Sequence, residues 1–263
     1  VVFPKKPKKI GLALGGGAVR GFAHLGVLKV LEEAGVVPSY ITGTSVGSLV
    51  GALYSAGLSA DKITDIAREI GWKDLVKPTL PKLGLLKTDG IAELVDRLAQ
   101  GSLIEELKIP FKAVAVDLSR GKVIAFDKGP LGKAVQASCS IPGIFEPVKE
   151  GESLLLDGGI INNLPADLVR EMGAEYVIAV DLNADLAEEA SSPKGIFEIL
   201  ITSFMRMMSA TGTLGREEAD CLITPDLAGY NYHDMDQMED LFIEGKKAAE
   251  KALPELRKAG IIK

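Results

Sequence analysis

The sequence predicts an α/β fold in three layers, with helices on both faces of a mainly parallel central sheet. Three observations point there. Apolar runs of strand length at Ile10–Leu14, 39–41, 153–156, Tyr176–Val180 and Cys221–Ile223 alternate with longer amphipathic stretches. Two of these runs pass through glycine-rich turns directly into helical patterns, the strand–turn–helix order of parallel α/β units. Finally, 263 residues, 47% of them hydrophobic and without a low-complexity break, are enough to build one large core, so 1–263 reads as a single domain with a basic tail at 1–8.

Each element has its own signal. The tail Phe3-Pro4-Lys5-Lys6-Pro7-Lys8-Lys9 is a basic cluster on an acidic chain, read either as a solvated extension or as a contact for anionic headgroups. Strand Ile10–Leu14 leads through Gly15-Gly16-Gly17 to the helical pattern FAHLGVLKVLEEAG. Strand 39–41 leads to Ser45 and a small-residue helix ending near Tyr54, with Gly57 as its cap. Ser59 caps ADKITDIAREI, which places Ile63, Ile66 and Ile70 on one face. The stretch 72–88, with Pro78 and Pro81, reads as a surface loop. Asp89 starts a helix with the stripe Ile91, Leu94, Val95, Leu98 and with Gly101 after it. Segments 112–116 and 123–126, joined by SRGK, read as an antiparallel hairpin. After the Ser191-Ser192-Pro193 turn, 195–212 carries Ile196, Leu200, Phe204 and Met207 or Met208 at helical spacing, broadened by Phe197 and Ile201. So wide a stripe is either core or a greasy lid beside a lipid site, its three methionines adapting to varied chains.

The chemistry sits at the turns. In Gly43-Thr44-Ser45-Val46-Gly47 a serine stands between two glycines where a strand becomes a helix, the pattern of a nucleophile elbow, and the glycines remove Cβ atoms where the sharp turn packs. The loop Gly15-Gly16-Gly17-Ala18-Val19-Arg20-Gly21 leaves bare amides before a helix N-terminus and so suits an anion. A nucleotide phosphate fails on spacing: a dinucleotide loop needs glycine where Arg20 stands, and a P-loop needs lysine where Phe22 stands. The oxyanion of an acyl-transfer intermediate fits better. Arg20 either anchors this loop or meets a lipid phosphate.

Serine needs a base. No spacing argument brings His24 or His233 to Ser45, and His24 reads more simply as a helix side chain hydrogen-bonded to a neighbour. Asp157 is the stronger candidate, because it closes the run 153–156 and precedes Gly158-Gly159, at the strand ends where reacting groups gather in open α/β sheets. A carboxylate is a weak base in water, with a pKa of about 3.9, and gains proton affinity in a dry cleft. An Asx turn at the strand end is the competing structural role for Asp157.

Composition excludes other classes. A net charge of −6, with no interleaved basic and aromatic stretch, argues against nucleic acid. Cys139 and Cys221 are too few and too far apart for a disulfide framework or a zinc site, so free thiols in a reducing, cytoplasmic setting are expected. No metal or cofactor is expected, and any membrane contact is expected to be peripheral. No run of eighteen apolar residues reads as a membrane span. The chain starts with Val, which leaves a removed signal segment open.

These residues resemble the patatin-like phospholipases. GLALGGGAVRGFAHLGVLKVLEEAG is similar to that family's oxyanion block, GTSVGSLVGALYSAG to its nucleophile block, ASCSIPGIFEPV to its proline block and LDGGIINNLPADLV to its aspartate block. They occur in the family's order. The resemblance is close from about 9 to 181 and looser beyond, through EEADCLITPDL and the terminal helix. It implies a patatin-like fold and a serine esterase with a Ser45–Asp157 dyad. It also implies an oxyanion hole at Gly15, Gly16 and Gly17 supported by Arg20 and Gly21, with no histidine or calcium required. The implied substrates are acyl esters of phospholipids or lysophospholipids. The alternatives are a non-catalytic lipid-binding or regulatory adaptor on the same fold, and acyl transfer from a thioester.

Overall fold

Strands β1 (Ile10–Leu14), β2 (Tyr40–Thr44), β3 (Lys77–Pro78), β4 (Leu86–Lys87), β5 (Phe111–Asp117), β6 (Lys122–Phe126), β7 (Val148–Glu150), β8 (Ser153–Asp157), β9 (Tyr176–Val180) and β10 (Cys221–Ile223) appear in the computed structural model, which describes residues 8–80, 82–184 and 195–263. The tail residues 1–7, Pro81, the Ser191-Ser192-Pro193 turn and the side chain of Phe197 lie outside the described set. The helices are α1 (Phe22–Glu33), α2 (Val46–Ser55), α3 (Ala60–Glu69), α4 (Trp72–Leu75), α5 (Asp89–Leu98), α6 (Leu131–Ser138), α7 (Ala166–Glu171), α8 (Ile196–Thr211), α9 (Thr213–Glu218) and α10 (Met238–Lys258).

The main sheet runs β10-β9-β1-β2-β5-β8-β7, with β6 also on β5. Strands β10, β9, β1, β2 and β5 are mutually parallel, as expected, and β1 and β9 are buried at every position. Burial on both faces explains why these strands read as continuous apolar runs without alternation. The hairpin expected from SRGK is present as antiparallel β5–β6. Ser59 caps α3, its Oγ accepting the Lys62 N–H at 3.2 Å.

Strand β8 departs from the parallel expectation, because it pairs antiparallel with β5. β6 covers Ala113 to Asp117 along one edge of β5, so β2 and β8 share the other edge. There Thr44 pairs with Val114 and Asp157 pairs with Ala115, the next residue. The two strands therefore run toward each other and end nose to nose. Asp157 reaches the end of β2 head-on from an antiparallel strand, and not as the carboxyl end of a neighbouring parallel one.

Two local expectations also change. β2 extends to Thr44, so the strand runs straight into the elbow. The stretch 72–88 is more than a loop, since it holds α4 and the antiparallel pair β3–β4. A four-residue helix and two-residue strands are too short to show periodicity. Among the described residues no helix is long and apolar enough to cross a membrane.

Candidate active site

Ser45 stands between β2 and α2 with φ 54° and ψ −129°, a positive-φ conformation that costs a non-glycine residue energy and persists only where the surroundings enforce it. The enforcement is visible. The Ser45 N–H donates to Ser138 Oγ at 2.9 Å, and Ser138 Oγ donates to the Val114 carbonyl at 2.6 Å, which ties the elbow to α6 and β5. The elbow glycines are needed for space and not for φ. A Cβ on Gly47 would strike the Leu14 and Gly15 carbonyls, and one on Gly43 would strike the Gly47 carbonyl. Gly21 is pressed against Val46 in the same way, and Gly158 against the Val114 carbonyl.

Asp157 is wholly buried at the tip of β8. Its N–H donates to the Ser140 carbonyl at 2.9 Å, and its Oδ1 accepts the Gly159 N–H at 2.9 Å. That second bond is the Asx-type turn expected as its structural role. It occupies only one oxygen: Oδ2 is buried without a well-formed hydrogen bond. Burial pushes the carboxyl up to about 7, opposed by the Ser45 side chain and the Gly159 N–H, both of which favour the charged form. The carboxyl is thus dry, half-satisfied and beside the serine, with a proton affinity suited to neutral pH.

The glycine loop is gripped from several sides. The Gly15 N–H donates to the Val180 carbonyl at 3.0 Å, and the Gly15 carbonyl lies 2.7 Å from His24 Nε2. Burial lowers His24 to about 4, with the Gly15 contact opposing, so the ring is neutral at pH 7 and donates through Nε2. The Gly16 N–H is shared between Asn163 Oδ1 at 3.1 Å and the Asn163 carbonyl at 3.3 Å, while the Gly16 carbonyl accepts from Asn183 Nδ2 at 2.6 Å. Both asparagines are fully buried. Arg20, 2% exposed, donates through Nε and Nη2 to the Tyr230 carbonyl at 3.2 and 2.8 Å and stacks on the Tyr232 ring 4.1 Å away.

This geometry amends the oxyanion expectation. The Gly15 and Gly16 amides are engaged within the protein, whereas the Gly17 and Ala18 amides have no acceptor among the described residues. Ala18 itself has φ 50°. Sequence reasoning passed over Asn163, Asn183 and Ser138. Asn163 and Ser138 lay inside the LDGGIINNLP and ASCSIPGIFEPV blocks, but nothing in the spacing singled them out, and Asn183 follows β9 and reaches the site only through the fold. His24 holds the loop, away from any base role, and His233 is exposed.

An apolar cavity of about 160 Å³ ends on Ser45. Val46, Leu49 and Leu53 of α2, Ile63, Ile66 and Ile70 from α3 and its end, Leu75 of α4, and Ile91 and Leu94 of α5 line it, together with Cys139 and Phe145. The amphipathic stripes of α3 and α5 thus face this cavity. Helix α8 does not line this cavity but covers the site from another side: Ile201, Phe204, Met205 and Met208 form a second cluster with Ile141, Ile144 and Phe145, and Met208 abuts Gly16 and Gly159. Its stripe is narrower than expected, with Ile196 76% and Met207 37% exposed. Among the described residues no His/Cys/Asp/Glu group is placed to hold a metal ion.

Comparison with known proteins gives one consistent answer. Residues 12–170 match the family described as patatin-like phospholipase. An uncharacterized NTE family protein of Mycobacterium tuberculosis is 37% identical over 185 residues, covering 69% of this chain and 51% of that protein. Patatin-like phospholipase domain-containing protein 6 of Homo sapiens is 40% identical over 186 residues, 66% of this chain and 13% of that protein. The chain therefore spans about half, or much less, of the length of these relatives. The crystal structure of VipD from Legionella pneumophila shares the fold, with a TM-score of 0.60 at 14% identity over 95% of this chain and 67% of that one.

Proposed function

The chain belongs to the patatin-like phospholipase family, and from that premise we propose that it is a serine esterase that hydrolyses fatty acyl esters of phospholipids or lysophospholipids through Ser45 and Asp157. Family membership supports lipid ester hydrolysis in general; the dyad and the substrate class are our reading. The observation that carries it is the nose-to-nose ending of β2 and β8 on β5, with a positive-φ serine at one tip and a dry carboxyl at the other.

In this mechanism Asp157 accepts the hydroxyl proton as Ser45 Oγ attacks the ester carbonyl carbon. The Gly17 and Ala18 amides donate to the oxyanion that forms. Collapse of the intermediate breaks the ester C–O bond, and Asp157 returns its proton to the leaving lysolipid or alcohol. Water then gives a proton to Asp157 as its oxygen bonds to the acyl carbon, and cleavage of the Ser45 Oγ–acyl bond releases the fatty acid while Asp157 returns the proton to Oγ. Gly15, Gly16, Arg20 and Gly21 shape the loop; Gly43 and Gly47 let the elbow turn sharply and pack on the glycine loop, Gly158 lets the aspartate turn pack on β5, and Gly159 leaves room for Met208. The enzyme works at the membrane surface through peripheral contact, taking its acyl chain into the cavity beside α2.

A serine-reactive fluorophosphonate, followed by peptide mapping, tests the reading together with hydrolysis of p-nitrophenyl esters and phospholipid vesicles. Labelling at Ser45 and loss of hydrolysis in Ser45→Ala are expected. Equal hydrolysis by wild type and Ser45→Ala would favour the adaptor alternative and remove the dyad.

A further inference from the structure

The apolar cavity does not end blindly in the core. Ile66, Ile70, Leu75 and Leu94 line it at the end formed by α3, α4 and α5, and the same four side chains line a second cavity of about 570 Å³. The second cavity has a different character: Glu69, Asp74, Lys77, Glu93 and Arg97 surround it, and all five are exposed. Apolar space leading from Ser45 and charged, wet space open to solvent are therefore separated by one layer of four aliphatic side chains.

On the acyl-hydrolase reading above, we propose that this layer is the end-stop of the acyl channel and sets the longest fatty chain that the enzyme uses efficiently. The acyl carbonyl sits at Ser45 and the chain runs past α2 with its methyl end toward Ile66, Ile70, Leu75 and Leu94. Each methylene that reaches apolar space adds burial worth about fourfold in binding. A chain long enough to pass the layer must displace it and then place methylenes among exposed carboxylates, a lysine and an arginine, where no further apolar area leaves water. Affinity therefore climbs with chain length and stops climbing at the layer. Ile70 and Leu75 are partly exposed, so their size can be changed at modest cost to the core.

The test is a series of p-nitrophenyl esters from acetyl to palmitoyl, with kcat/KM normalised to each protein's own acetyl-ester value so that a general loss of activity drops out. Wild type should rise about fourfold per methylene and then break to a plateau. Leu75→Ala should move the break to longer chains, and Ile70→Trp to shorter ones. Dissociation constants of unesterified fatty acids of rising length, measured on the Ser45→Ala protein, read the same break without turnover. A break that stays put in both variants by both readouts overturns the end-stop and leaves the hydrolase reading standing. A moving break in binding, with no Ser45-dependent hydrolysis of any ester, keeps the end-stop and removes the hydrolase reading. Far-ultraviolet circular dichroism of each variant confirms that a folded protein is being compared.

Discussion

Ser45 stands between two walls of opposite construction. One is made of strand ends and glycine turns: β1, β2, β5 and β8 deliver Gly15, Ser45 and Asp157 to one place, backbone touches backbone at Gly43, Gly47 and Gly158, and buried asparagines hold both ends of the Gly16 residue. The other is α8, a single methionine-rich helix that buries Ile201, Phe204, Met205 and Met208 on one face while its start is exposed, Ile196 at 76% and Ile199 at 50%. Thr211 Oγ1 donates to the Gly159 carbonyl at 2.7 Å and Ser209 Oγ to the Asn183 carbonyl at 2.9 Å, so α8 is tied to the site at that buried end. The first wall cannot relax without collisions between main-chain atoms. The second rests on side chains that can repack. Preorganised chemistry and adaptable cover are assigned to different parts of the chain.

The largest break in this comparison comes from Asp157→Asn. Activity should fall by at least about ten-thousandfold, because members of a catalytic unit fail together. Stability should move the other way. The folded carboxyl titrates near 7 against an ordinary 3.8, so the fold binds its proton more tightly than the unfolded chain does. The stability that this provides is fully present below about 3.8 and is lost as pH rises through about 7. Above that range wild type carries the cost of a buried charge that asparagine does not, and the variant should gain up to about 4 kcal/mol at pH 8 in urea unfolding. Wild-type acylation should rise with pH up to about 7 and then level off, as the carboxylate forms. A variant no more stable at pH 8 than at pH 4, relative to wild type, would contradict the burial of this charge.

Gly47→Ala probes the rigid wall directly. Its new methyl group meets the Leu14 and Gly15 carbonyls, and a loss of about 1–3 kcal/mol is expected by thermal or urea unfolding, with fluorophosphonate labelling slowed as the elbow shifts. Unchanged stability would mean that the two turns approach less closely than described.

Asn163→Ala removes the side-chain acceptor of the Gly16 N–H and leaves only the 3.3 Å carbonyl contact. The expected result is a fall in kcat of about tenfold to a hundredfold with KM near wild type, partly recovered in Asn163→Asp, which keeps an acceptor in place. A change confined to KM would take Asn163 out of loop positioning.

The smallest effect belongs to the adaptable wall. Backbone amides at the exposed start of α8 should exchange with deuterium faster than those of β1 and β9 by a wide margin, and faster than those near Met208. Uniform protection along α8 would make it part of the rigid core.

Much of the site was legible because its demands are local. A serine flanked by glycines after an apolar run is a weak pattern alone and gains weight beside three glycines before a helix; the positions of both turns were visible without coordinates. The parallel strands were legible too, since burial on both faces leaves an unbroken apolar run. What could not be read were relations between distant segments. Nothing local distinguishes Asn163 from Asn162, yet one holds Gly16 while the other donates to Asp167. The stripes of α3 and α5 looked like ordinary core faces, and only their placement around α2 leaves a cavity between them.

The sequence by itself determined the sharp turns and the apolar strands, because these follow from backbone sterics and from periodicity over a few residues, and it offered Ser45 and Asp157 as the candidates at those turns. Tertiary structure alone decided that β8 runs antiparallel and meets β2 end to end, that Gly17 and Ala18 keep their amides uncommitted, and that Asp157 is dry enough to titrate near neutrality. Strand direction, hydrogen-bond competition and desolvation are set by groups far off in the chain, β8 by its pairing with β5 and the Gly16 amide by Asn163, and a chain carries no local record of which neighbours the folded sheet will supply.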